Sequence, residues 1–148
     1  MRDVLIIGSG GIGHRHIRGF QATGRCRLAL VEPDRTRLDA ACRKYGIGQG
    51  WADVNEVDLA AFDLAVIAAP AHVHVPIART CAAAGLSFLM EKPLSATMAG
   101  VDELLELVEQ RALVARVGYI RRCAPEFAAL REQMRAGRVG ELRFCSVQ

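Results

Sequence analysis

Lysine and aromatic residues are the scarce materials of this sequence. Of 19 basic residues only Lys44 and Lys92 are lysine, the rest being arginine, and Phe, Trp and Tyr together make up 5% of 148 residues. The apolar half of the chain is therefore carried mostly by Ala, Val, Leu and Ile, a mix that suits parallel strands covered by helices on both faces. An excess of one charge is missing as well. The net charge of +3 is too small to point to nucleic acid. The densest basic stretch, Arg116 to Arg143, is interrupted by Glu126, Glu132 and Glu141, as on a solvated helix face. No nucleic-acid partner is expected.

Other absences narrow the class further. The five cysteines (Cys26, Cys42, Cys81, Cys123, Cys145) are odd in number and scattered. No Cys-x-x-C or Cys/His spacing marks a zinc site or a disulfide framework, so reduced thiols in a cytoplasmic protein are expected. His14 with His16, and His72 with His74, stand two residues apart. At helix starts the members of each pair point in different directions, and no metal site is expected. The N-terminus enters a strand at once, with no apolar stretch of signal-peptide length. The longest apolar run, Leu64 to Ala84, is broken by Pro70 and Pro76, so no membrane span is expected. There is no repeat, low-complexity tract or linker, and the length suits one soluble globular domain with a sizeable core.

What is present alternates. Val4–Ile7 is a short apolar run that stops at glycines, as a buried parallel strand does. A helix is predicted over Ile12–Ala22, a strand over Arg27–Val31, and a helix capped by Asp34 that runs to Tyr45 before Gly46. Asp53 with Glu56 three residues on reads as a capping box for a short helix. Leu64–Ala68 reads as a central strand, followed by an Ala-rich helix to Gly85 and a strand over Leu86–Met90. Val101, Leu104, Leu105 and Val108 mark an amphipathic helix. Leu113–Val117 adds a strand, and Pro125–Arg135 a helix. Repeated strand–helix alternation predicts an α/β fold: a doubly wound parallel sheet with right-handed crossovers. This Rossmann domain is predicted over residues 1–140. Glu141–Gln148 alternates like one more strand, an orphan without an evident partner.

Chemistry enters at Gly8-Ser9-Gly10-Gly11-Ile12-Gly13. The Gly-x-Gly-x-x-Gly spacing alone is weak, but here it follows a strand, opens a helix and precedes an acid, Glu32, by about 20 residues, the context a dinucleotide fingerprint requires. Gly8 allows the tight turn, Gly10 lets the backbone approach a pyrophosphate, and Gly13 lets helix and strand pack closely. The unsatisfied N–H groups at the helix start then meet the phosphate charge. A carboxylate at Glu32 can accept ribose hydroxyls and repels a 2′-phosphate, which favours NAD; Arg35 and Arg37 close by keep NADP as the alternative. FAD would fit the glycines and Glu32 as well.

Further motifs carry a resemblance. Ala69-Pro70-Ala71-His72-Val73-His74 follows the fourth predicted strand, Glu91-Lys92-Pro93 the fifth, and His16 stands three residues after Gly13. With Gly118-Tyr119-Ile120-Arg121-Arg122-Cys123-Ala124-Pro125, these segments resemble, in consecutive order over essentially the whole chain, the glucose–fructose oxidoreductase / inositol dehydrogenase family (Gfo/Idh/MocA). The resemblance implies hydride transfer between a nicotinamide and the alcohol or carbonyl of a sugar- or polyol-like small molecule. It implies Lys92 as the catalytic residue, donating a hydrogen bond to the substrate oxygen and stabilising developing alkoxide charge. It implies Ala69, Pro70, His74, Glu91, Lys92 and Arg122 as cofactor-site residues beside the glycine loop and Glu32, with a cis bond before Pro93. The motif departs from the family at Ala69, where a Thr usually stands, and at Cys123, where an aromatic is common.

The family continues into an α/β substrate domain, so residues 141–148 read as the start of a domain absent from this sequence. On this reading the chain is incomplete for catalysis alone, and an oligomer or a partner chain supplying the substrate domain is expected. The other reading is a dinucleotide-binding sensor or interaction subunit without catalysis. It would keep the glycine loop but leave Glu91-Lys92-Pro93 without a task.

Overall fold

The computed structural model describes residues 1–141, 143 and 144. The chain divides into two compact units, Met1–Gly118 and Tyr119–Gln148. In the first, the order is β1 (Arg2–Ile7), α1 (Gly11–Ala22), β2 (Cys26–Val31), α2 (Arg35–Tyr45), β3 (Gly50–Trp51), β4 (Leu64–Ile67), α3 (His74–Ala83), β5 (Phe88–Met90), α4 (Val101–Gln110) and β6 (Ala115–Val117). The six strands form one sheet in the order β3-β2-β1-β4-β5-β6, and every neighbouring pair is parallel. After β3 the chain crosses back over β1 to place β4 on its other side. That reversal splays the loops after β1 and β4 apart and opens a crevice at the carboxyl ends of the strands.

The expected doubly wound parallel sheet is what folds, and its two faces follow from the two-residue period of the strands. Val4, Ile6, Leu30 and Val66 turn to one side and pack with Ile17, Leu38 and Ala41 of α1 and α2. Leu5, Ile7, Ala29, Val31, Ala65 and Ile67 turn to the other and pack with residues of α3 and α4 such as Val75, Ala78 and Leu104. Each such side chain taken from water stabilises the fold by about 1.5–3 kcal/mol, and truncating Leu5, fully buried in β1, would cost about 2–5 kcal/mol.

Helix ends separate the structural from the functional. Asp34 caps α2, its carboxylate accepting the Arg37 N–H at 3.0 Å, and Gly46 closes that helix in the left-handed conformation, φ 65°. No side chain caps α1 at Gly10, and no acid stands in its first turn.

Three details differ from the sequence reading. Gly50–Trp51 is a strand of two residues, too short to leave a pattern, that pairs with Leu30 and Val31. Asp53 and Glu56 do not form a capping box. Asp53 accepts the Asn55 N–H at 2.9 Å over a 3₁₀ turn, Val54–Glu56, which is too short for the reciprocal bond of a longer helix. A 3₁₀ turn, Ala71–Val73, precedes α3.

The second unit begins with a 3₁₀ turn, Ile120–Cys123, and continues into α5 (Pro125–Arg135), which starts on its proline and buries none of its residues. Arg121 lies over the Phe127 ring at 5.5 Å. The division after Gly118 comes earlier in the chain than the boundary expected at residue 140. The strand expected over Glu141–Gln148 falls largely outside the described residues. Among the described residues no helix is long and apolar enough to cross a membrane.

Candidate functional site

The glycine loop joins β1 to α1 at the crevice, and its glycines fall into two kinds. Gly8 has φ 102°, and a Cβ there would come 2.7 Å from the Ala68 carbonyl oxygen; a Cβ on Gly13 would overlap the carbonyl oxygen of Gly8. These two are glycine because the chain itself leaves no room. Gly10 and Gly11 answer to nothing of the kind. A Cβ on Gly11 would meet no atom within 4 Å, and one on Gly10 only Arg37 Nη2 at 3.9 Å. Gly10 has φ −69° and ψ −175°, extended backbone that any residue adopts. The space above them belongs to a cavity of about 750 Å³ that Gly8, Gly10, Gly11, Ile12, Glu32, Ala69 and Pro70 help to line. The first-turn N–H groups of α1 have no intrahelical acceptor. Uncapped donors, room for a ligand backbone and the positive end of a helix dipole fit a pyrophosphate.

Glu32, at the end of β2, is 5% exposed. Its Oε2 accepts the Ser9 N–H at 2.8 Å and the Ser9 hydroxyl at 2.6 Å. Arg37 Nη2 stands 3.2 Å from the same oxygen, and Oε1 accepts the Asp34 N–H at 3.2 Å. Burial pushes the Glu32 carboxyl up, but the bonds from Ser9 and Asp34 and the charge of Arg37 outweigh it and hold the group below its ordinary range. Ser9, buried at 3%, is therefore turned toward Glu32 and away from the cavity.

Two strands away from β1, beyond β4, the end of β5 presents Glu91 and Lys92. Strand spacing puts this edge about 10 Å from the glycine loop, a separation that an elongated ligand spans. Glu91 is fixed from two sides. His16 of α1 donates from Nε2 to Glu91 Oε1 at 2.8 Å. A Cβ on Gly118 would stand 3.3 Å from the Glu91 carboxyl, so the glycine at the end of β6 admits the carboxylate. The Lys92 N–H donates to Glu91 Oε2 at 3.2 Å. The Lys92 side chain is exposed, and it makes no ion pair among the described residues. The Lys92–Pro93 bond is cis, as the resemblance implies.

His74 lies beneath, 1% exposed. Its Nδ1 is 2.8 Å from the Pro93 carbonyl oxygen and its Nε2 is 2.8 Å from that of Ala69. A proton on either ring nitrogen thus finds an acceptor. The ring ties the loop after β4 to the loop after β5. Arg122 lies in the exposed turn of the second unit.

The structure therefore brings Gly8, Gly10, Gly11, Ile12, Glu32, Ala69 and Pro70 to one cavity, leaves Gly13 buried in α1, and sets Glu91 and Lys92 along the same sheet edge. Ser9 and His74 are beneath that surface. Sequence reasoning missed the far wall of the cavity, Ala52–Asn55 with Val73, Pro76, Ile77 and Thr80. Only the Asp53 turn signal hinted that a tight loop stood there. Among the described residues no three His, Cys, Asp or Glu side chains gather to hold a metal.

Comparisons with known proteins bear on the family and the fold. A profile of the Gfo/Idh/MocA oxidoreductase family, NAD-binding Rossmann fold, matches residues 2–119. Inositol 2-dehydrogenase of Corynebacterium glutamicum (strain R) is 32% identical over 143 residues, 94% of this chain and 42% of the relative. Inositol 2-dehydrogenase of Leifsonia xyli is 35% identical over 142 residues, 93% of this chain and 41% of the relative. In fold, the chain is similar to the crystal structure of scyllo-inositol dehydrogenase from Lactobacillus casei with bound cofactor NAD(H) and scyllo-inositol. The TM-score is 0.87 at 21% identity, covering 95% of this chain and 43% of that one. The chain thus spans less than half the length of the relatives it matches.

Proposed function

The chain belongs to the Gfo/Idh/MocA oxidoreductase family, with its NAD-binding Rossmann fold, and on that premise we propose that it forms the cofactor-binding half of a cytoplasmic polyol dehydrogenase. The observation that carries the reading is the shared edge: the phosphate-type loop Gly8–Gly13, Glu32, and Glu91-Lys92 all stand at the carboxyl ends of strands of one parallel sheet. The relatives named inositol dehydrogenases support a cyclic polyol as substrate. Unpaired thiols at the four described cysteines support the cytoplasmic setting.

Bound NAD supplies the hydride acceptor for oxidation of a carbinol carbon. The chain's own residues divide the remaining work. The backbone N–H groups at Gly11, Ile12 and Gly13 hold the pyrophosphate, Glu32 stands at the adenosine ribose, and Ala69 and Pro70 wall the site. Lys92 donates a hydrogen bond from Nζ to the substrate oxygen and stabilises negative charge that develops there. Glu91, fixed by His16, and His74, fixed on Pro93, hold the segment from which Lys92 projects. A substrate half closes the pocket, excludes water and brings the reacting carbon into line. That half comes from the rest of a longer protein or from a partner subunit.

Calorimetric titration of the chain with NAD tests the cofactor site. Turnover of myo- and scyllo-inositol by the chain together with its substrate half tests the chemistry. Binding with turnover is expected. Tight NAD binding with no turnover in any such assembly would leave a dinucleotide sensor, and no binding would remove the reading altogether.

A further inference from the structure

Lys92 stands next to a carboxylate in sequence, yet the two charges are not paired. The Lys92 side chain is exposed and enters no ion pair among the described residues. Glu91 Oε2 nevertheless accepts the Lys92 backbone N–H at 3.2 Å. The carboxylate therefore lies against the residue whose own ammonium swings on a flexible four-carbon stem. An ammonium taken up by a carboxylate has one donor fewer, and less uncompensated charge, to offer a substrate oxygen.

Two residues distant in sequence hold Glu91 elsewhere. His16 Nε2 lies 2.8 Å from Oε1, and the two side chains are only 20% and 15% exposed. A pair so enclosed is screened less than one made to an exposed lysine, and it has less side-chain freedom to lose. Gly118 makes the room. A Cβ there would stand 3.3 Å from the carboxyl carbon and from both its oxygens, so any side chain would press the carboxylate off this seat. His16 lies in α1 and Gly118 follows β6. Neither lines the cavity at the glycine loop, and what they share is Glu91.

We propose that His16 and Gly118 are positioning residues that act through Glu91: they hold its carboxylate away from the Lys92 ammonium, which stays free for the substrate oxygen. The use of that ammonium in turnover rests on the proposed dehydrogenase; the separation of the two charges does not.

Lys44, Lys92 and the amino terminus are the only primary amines of the chain. Reductive methylation with 13C-formaldehyde, which keeps the lysine charge, therefore gives an NMR signal for each. Lys44 lies 5.3 Å from the Tyr45 ring centre and is the internal control. Lys44→Arg and Lys92→Arg assign the signals, and circular dichroism confirms that each variant is folded. His16→Leu is expected to shift the Lys92 signal and leave that of Lys44 in place, and His16→Gln, which keeps a donor, to shift it less. In a Glu91→Gln background the His16→Leu change is expected to move nothing, because no charged carboxylate is released. Gly118→Ala, with and without Glu91→Gln, supplies the same comparison should His16→Leu not fold.

A Lys92 signal that stays in place in both His16→Leu and Gly118→Ala overturns the inference, as does a shift of equal size in the Glu91→Gln background. In the chain assembled with its substrate half, His16→Leu is expected to lower kcat for inositol by about tenfold, the scale of one charge-assisted hydrogen bond, and to change it little once Glu91→Gln is present. An equal fall in both backgrounds also overturns it. NAD titration of the parent tells the failures apart. A chain that binds no NAD removes the dehydrogenase site, whereas the Lys92 signals decide the charge separation whether or not NAD binds.

Discussion

The two ends of the parallel sheet use the same kinds of residue to opposite effect. At the amino end Asp3 pairs with Arg27 at 2.6 Å and Asp63 with Arg2 at 2.7 Å, and both arginines are more than two-thirds exposed. A cavity of about 630 Å³ opens there too, between the start of β2 and the loops at Gly46–Gln49 and Ala61–Phe62, but no buried charge faces it. At the carboxyl end stand Ser9, Glu32 and His74, the buried polar residues of the described chain, each with its hydrogen bonds made. Burying a polar group is costly unless it is fully paired. A fold that accepts that cost at one end only is holding geometry there. A charge pair therefore says little about function until its burial is known, and a cavity says little until its polar groups are.

The largest effect expected is on chemistry. On the proposed reading, Lys92→Met in the chain assembled with its substrate half would remove the donor to the substrate oxygen, and kcat for inositol should fall by about 10²–10³-fold, far more than NAD affinity changes. Equal losses in both would make Lys92 a cofactor ligand rather than a catalytic residue. Next comes the contrast inside the glycine loop. Gly13→Ala drives a Cβ into the Gly8 carbonyl and should destabilise the chain by about 1–3 kcal/mol or more, read as a lowered melting temperature. Gly11→Ala has open space on the chain's side and should leave the melting temperature level or slightly raised while NAD affinity drops. If Gly11→Ala bound NAD as well as the parent, the open space above the loop would not be the pyrophosphate site.

Much of this could be read from sequence because its causes are local. The loop spacing, the strand before it, Glu32 at the end of the next apolar run and the alternation of elements are all written in neighbouring residues. Contacts between distant residues are not. His16 and Glu91 are 75 positions apart, and nothing near either shows that they meet at 2.8 Å. Ser9 reads as one more loop residue facing a ligand, yet its hydroxyl turns to Glu32, a direction set by the curl of the loop. Strand β3 needs only Gly50 and Trp51, too few residues for any period, and exists because β2 offers it an edge. At Asp53 the side chain that caps a helix also caps a 3₁₀ turn, and only the length of the capped segment tells them apart.

His74→Leu probes the carboxyl end without touching the cavity lining. It keeps most of the volume but removes the ring N–H that donates to the Ala69 or the Pro93 carbonyl, each 2.8 Å from a ring nitrogen. An unmet buried acceptor should cost about 1–3 kcal/mol, seen as a lower urea midpoint. A midpoint equal to the parent's would mean that those carbonyls find water.

The smallest effects separate the two ends by acid. Glu32 is held below its ordinary value near 4.5 and Asp3 below its ordinary value near 3.8, the latter chiefly by its hydrogen bond from Arg27. In both cases the unfolded chain binds the proton more tightly. Each carboxylate therefore contributes stability that is complete above its unfolded value and is lost as pH falls through its lower folded value. Glu32→Gln should consequently flatten the fall of melting temperature between neutral pH and about pH 3, and added salt should leave that difference largely intact because the group is buried. Asp3→Asn should flatten it less, and the effect should fade at about 1 M salt, where the screening length is ~3 Å. If the Asp3 difference survived salt and the Glu32 difference did not, burial would not be what distinguishes the ends. The polar network around Glu32 would then be a surface feature, with no special claim to shape the loop.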